Sequence, residues 1–199
     1  KYTPAVRAGT SCFGRWIYLT RQVLSAQAIH AVCSCLSDWG LQPKMRLPTH
    51  STALLIGGLG IYVTVQFFSL VWPDEGFARE SKLWANRSIP FAFIQGWMHV
   101  PCGTLAVLDL IYIKDRQLLR HATDTLPRLI AYVSTYCVLY VAYCHFNHRM
   151  TGYWPYGFMY DLGSEFGWSW LVFTAVQACI LCTFVVVSWC AVRFVPVWW

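Results

Sequence analysis

Read as a row of apolar and polar positions, the chain divides into long apolar runs joined by short polar connections. No Asp, Glu, Lys or Arg falls within 22–37, 47–73, 88–108, 129–148 or 166–192. A helix needs about 20 apolar residues to cross the hydrocarbon core of a bilayer. The last four runs meet that length, and the first does so if Trp16–Leu36 is one span containing Arg21. The expected spans are therefore Trp16–Leu36, Thr52–Val71, Pro90–Ile113, Leu126–Phe146 and Ser169–Val192. Hydrocarbon offers no partner to a backbone N–H or C=O, and the alternation of a barrel strand is absent, so the spans should be helices. The pattern predicts an all-α, polytopic transmembrane bundle forming a single domain over 1–199, with five spans and termini on opposite faces.

Composition strengthens this picture. Hydrophobic residues make up 57% of the chain and charged residues 12%, about half the charged fraction of ordinary soluble domains. The expected partner is the bilayer, and no nucleic-acid partner is expected. Charge does not orient the chain. Lys1, Arg7, Arg15, Arg79, Lys82, Arg87 and Arg149 fall on the side of the N-terminus, and Lys44, Arg46, Lys114, Arg116, Arg120, Arg128 and Arg193 on the other, which leaves the positive-inside rule silent. Of the cysteines only Cys12 lies clearly outside a span; the others read as small apolar fillers, and no disulfide network is expected. Gly57, Gly58 and Gly60 would let a neighbouring helix approach the second span closely. The first residue is Lys1 rather than Met, so an upstream segment, with a further span, is expected to be missing.

An ionisable side chain in hydrocarbon costs a few kcal/mol, and its presence is a functional hypothesis by default. Arg21, His30, His99, Asp109, Arg128 and His145 qualify, with Thr20, Gln27, Gln66, Gln95 and Gln177 as uncharged polar groups. Arg21, Asp109 and Arg128 sit near span ends, where long stems reach the interface. His99, in "QGWMHVPCG", is about ten residues inside its span. Gln95, Cys102, Gly103 and Ala106 share its helical face, a small and polar stripe suited to a cavity. A kink at Pro101 that frees a carbonyl for His99 is an equally good explanation.

The first and third spans run in the same direction, which puts Thr20 and His99 at depths differing by roughly 7–8 Å, within helix tilt and placement error. A hydroxyl beside an imidazole is the minimal nucleophile and base of acyl transfer. It is also an ordinary hydrogen bond.

Three stretches carry a resemblance. "RWIYLT" at 15–20, "IPFAFIQGWMHVPCGTLAVLDL" at 89–110 and "HRMTGYWPYGFM" at 148–159 resemble, in order and spacing, the androgen-induced and androgen-dependent TFPI-regulating protein family. The resemblance implies a multi-pass membrane hydrolase of fatty acid esters of hydroxy fatty acids, in an endomembrane such as the endoplasmic reticulum or in the plasma membrane. It implies a threonine nucleophile at Thr20 and a histidine at His99, no cofactor, no metal, and typically six spans, the first absent here. Arg21 is a weaker candidate for the substrate carboxylate, and Gln95, His148, Thr151 and Tyr156 for the walls or mouth of the cavity. The family's Asn-His ahead of the histidine is replaced by Gln95 and Gly96, and its threonine after the histidine by Val100.

Two other classes compete. A non-enzymatic scaffold or transporter would tolerate loss of Thr20 or His99, and transport would further call for broken helices in two corresponding halves. An intramembrane haem or metal protein would need histidines on facing helices at matched depth, which His30, His99 and His145 do not supply.

Overall fold

The computed structural model describes residues 14–194; Cys12 and the termini on either side lie outside the described residues. Seven α-helices are present among them. We number them α1 (Leu19–Asp38), α2 (Arg46–Gln66), α3 (Glu75–Ala85), α4 (Phe91–Leu108), α5 (Arg116–Ala122), α6 (Leu126–Thr151) and α7 (Trp168–Phe194). The last turns of α2 and α4 widen into π-helix, Phe67–Val71 and Asp109–Ile113.

Four helical stretches are long and apolar enough to cross a membrane: Pro43–Val71, Phe91–Ile113, Leu126–Thr151 and Trp168–Phe194. Their outward faces stay apolar, with Phe93, Trp97, Leu139 and Val187 all exposed, as helices bathed in lipid require. Helix α1, the first expected span, has comparable length but carries Arg21, Gln22, Gln27 and His30. Two of these polar groups turn inward and bond to neighbouring backbone: Gln27 Nε2 donates to the Cys102 carbonyl at 2.9 Å, and His30 Nε2 lies 2.8 Å from the Thr49 carbonyl.

Helix α2 is the centre of the bundle, packed on α1, α4 and α7. Its glycines make this possible. A methyl group on Gly57 would meet Leu110, one on Gly58 would meet Val185, and one on Gly60 would sit 2.5 Å from the Cys102 carbonyl. The backbones of α2 and α4 therefore touch without an intervening side chain. Val23, Leu54, Val63, Leu129, Leu181 and Val185 fill the core around this seam. A second cluster of Ile17, Val141, Cys144, Trp154, Met159 and Trp170 closes the end of the bundle near Thr20.

The polar connections contain more helix than their breaker residues suggest. Asp74 caps α3 by accepting from Phe77 N–H, and Asp115 caps α5 by accepting from Gln117 and Leu118 N–H. Both are N-caps in which a carboxylate meets unpaired first-turn donors. The bonds from Leu118 and then Gln117, with Arg46 nearby, hold the Asp115 carboxyl below the usual carboxylate range.

Candidate functional site

Thr20 and His99 meet. Thr20 lies in the first turn of α1 and His99 midway along α4, and Thr20 Oγ1 is 2.8 Å from His99 Nε2. His99 is buried. Its other nitrogen, Nδ1, lies 2.6 Å from the carbonyl of Gln95, one turn earlier. A carbonyl only accepts, so Nδ1 carries the proton and donates; Nε2 is left as the acceptor for the Thr20 hydroxyl. The kink expected to serve His99 does not supply this carbonyl. Proline lacks the N–H that would bond four residues back, so Pro101 frees Trp97 C=O, whereas His99 uses Gln95 C=O.

Two side chains of the central helix fix the imidazole. The Phe67 ring stacks on it with 3.5 Å between centroids and 8° between planes. Thr64 Oγ1 donates to the His99 carbonyl at 2.6 Å and accepts from Gly103 N–H at 3.0 Å. These are the two groups that a regular α-helix pairs with each other, so the Thr64 hydroxyl inserts into the ladder of α4 directly behind His99. Gly103 is required for this approach, because a methyl group there would lie 2.9 Å from Thr64 Oγ1.

The pair forms part of the wall of a partly open cavity. Leu70, Val71, Val141, Phe158, Met159 and Phe173 make most of the lining apolar, and among the described residues no Asp, Glu, Lys or Arg contributes to it. Tyr140 and Tyr156 lie beside Thr20: both phenol oxygens accept from Leu19 N–H, at 3.2 and 3.1 Å, and Tyr140 donates to the Ile17 carbonyl at 2.9 Å. Together they hold the start of α1 against α6 and the loop that follows α6. Burial pushes the Tyr156 phenol well above its ordinary range, so it stays neutral.

The other expected site residues are placed differently. Tyr156 lines the cavity; Gln95 takes part through its backbone carbonyl. Arg21 is exposed and does not line the cavity. His148 stacks on Trp154, 4.1 Å between centroids and 6° between planes. Thr151 accepts from Tyr153 N–H and donates to the Asn147 carbonyl, which closes the end of α6. Neither lines the cavity. Phe67, Thr64 and Tyr140 had no signal in the linear sequence, since each acts across helices. Gln66 and Gln177, both flagged as polar groups within spans, do line the cavity.

A helical membrane protein with a buried hydroxyl–imidazole pair on the wall of an apolar cavity is the class that the fold and site define. The chain belongs to the FAR-17a/AIG1-like protein family, whose model matches residues 4–192. That agrees with the family named from the three short stretches. No curated protein and no solved structure matches the chain.

Proposed function

We propose that the protein is an intramembrane carboxylic ester hydrolase acting on fatty acid esters of hydroxy fatty acids, with Thr20 as nucleophile and His99 as general base. The observation that carries this reading is the 2.8 Å contact between Thr20 Oγ1 and His99 Nε2 on the cavity wall, with the imidazole tautomer already set for proton abstraction. The substrate class comes from the family resemblance, and the apolar lining suits a long acyl chain.

In the reaction, Nε2 takes the hydroxyl proton as Oγ1 attacks the ester carbonyl carbon. The carbon–oxygen π pair moves onto the carbonyl oxygen. Collapse of this tetrahedral species expels the hydroxy fatty acid, whose alkoxide oxygen receives the proton held on Nε2, and an acyl-threonine remains. A water, deprotonated by the same nitrogen, attacks the acyl carbon; Thr20 leaves with the proton returned, and the free fatty acid departs. The Gln66 amide has no side-chain hydrogen bond among the described residues, lines the cavity and adjoins Phe67, which stacks on His99. It is the donor assigned to the negative oxygen. The family's Asn at the position of Gln95 is dispensable for the tautomer, because the backbone carbonyl does that work.

The test is turnover of such an ester by membranes or purified protein carrying Thr20→Ala or His99→Ala. Both variants should insert normally and lose hydrolysis. Thr20→Ala with wild-type turnover would remove the nucleophile and the reading with it.

A further inference from the structure

The polar groups of the cavity are nearly all committed. Tyr62 donates to Gln177 Oε1 at 2.8 Å, Tyr136 to Gln22 Oε1 at 2.9 Å, Tyr140 to the Ile17 carbonyl at 2.9 Å and Thr174 to the Trp170 carbonyl at 2.7 Å. Besides the Gln66 amide, Gln177 Nε2 is the exception. Gln177 is 8% exposed, lies within the α7 span and lines the cavity, yet its two amide N–H donors have no partner among the described residues. The amide nitrogen keeps access to the cavity, and a ligand that covered it without accepting would leave its donors unmet at a cost of about 1–3 kcal/mol. Tyr62 binds the oxygen of the amide and so leaves the nitrogen as its free end.

The site is also set apart from the reacting pair along the central helix. Phe67 stacks on His99, and Tyr62 lies five residues earlier on the same helix, which at 1.5 Å per residue is roughly 7 Å further along α2. Gln66, next to Phe67, lies level with the reacting end, whereas Gln177 is level with Tyr62. An ionised carboxylate there would meet no compensating cation among the described residues, because none of their Lys or Arg side chains lines the cavity. The free amide therefore calls for a neutral oxygen acceptor.

We infer that Gln177, held by Tyr62, is a chain-selecting subsite for a fatty-acyl chain bearing a neutral oxygen, a hydroxyl or oxo group, partway along its length. This rests on the proposed hydrolase reading only for which part of the ligand lies at Thr20. An unsubstituted chain would fill the same space but leave the donors unmet, so the subsite discriminates by the penalty as well as by the bond.

Binding tests this without turnover. The full chain, purified in detergent, is titrated with a saturated long-chain fatty acid methyl ester and with the same ester carrying a mid-chain hydroxyl, and each affinity is read by thermal stabilisation. The hydroxylated ester should bind about three- to tenfold more tightly, the range one net hydrogen bond supplies. Gln177→Leu should erase the ratio, and Tyr62→Phe, which unpins the amide while keeping its shape, should reduce it. Equal affinities in the wild type, or an unchanged ratio in Gln177→Leu, would overturn the subsite; if Gln177→Leu does not fold, an unchanged ratio in Tyr62→Phe does so. Thr20→Ala should keep the ratio, so loss of the hydrolase reading and loss of the subsite give separate results.

Discussion

The bundle holds two buried polar clusters at opposite ends, and they differ in what surrounds them. At one end Thr20 and His99 bond to each other on the wall of a cavity. At the other, Lys114 Nζ donates to Ser34 Oγ at 2.5 Å and lies 4.0 Å from Asp109, His30 sits 4.0 Å from the same carboxylate, and at the exposed rim Arg46 pairs with Asp115 at 3.4 Å. Nearby, Arg116 and Arg120 bond to the Ala191 and Val192 carbonyls and so close the end of α7. The second cluster has more charge. It lines no part of the cavity, and its groups serve to join α1, α2, α4, α5 and α7. The more highly charged cluster ties helices together, and the proposed chemistry rests instead on an acceptor nitrogen beside a hydroxyl at the cavity wall.

Six substitutions sharpen the contrast. Thr20→Ala and His99→Ala should each lower turnover by at least about 10²–10⁴-fold, the usual contribution of such a group, with thermal stability shifted by only about one hydrogen bond, ~1 kcal/mol. Phe67→Ala removes a buried ring and frees the imidazole, so it should cost about 3–5 kcal/mol of stability and, in the protein that remains folded, lower kcat more than it raises KM. Lys114→Met should do the reverse of the first pair: a stability loss of about 1–3 kcal/mol, read from the unfolding midpoint, with turnover per folded molecule unchanged. Arg21→Ala and Thr151→Ala should change turnover least. Arg21 is exposed and Thr151 is engaged in ending α6, so a large loss of kcat in either would extend the site beyond the cavity.

The spans were legible because a missing charge over a bilayer's width is a strong constraint, and the four most apolar ones coincide with helices. Helices α3 and α5 fall in the polar connections and have no apolar run to announce them, although Asp74 and Asp115 stand where N-caps belong. Thr20 and His99 were legible from depth on two helices running the same way. What fixes His99 was not, because Thr64 and Phe67 reach it from a helix more than thirty residues earlier, and no periodicity in either segment encodes that crossing. His148, expected at the walls or mouth of the cavity, lies in the last turn of α6, packs flat on Trp154 and is not part of the lining.

The most direct measurement of the central claim is the site of covalent modification by a serine- and threonine-reactive fluorophosphonate, mapped by peptide mass spectrometry. A single adduct on the peptide containing Thr20, absent from His99→Ala protein and retained in Lys114→Met protein, is the result expected. An adduct on another hydroxyl, or labelling of Thr20 that persists undiminished without His99, would contradict it.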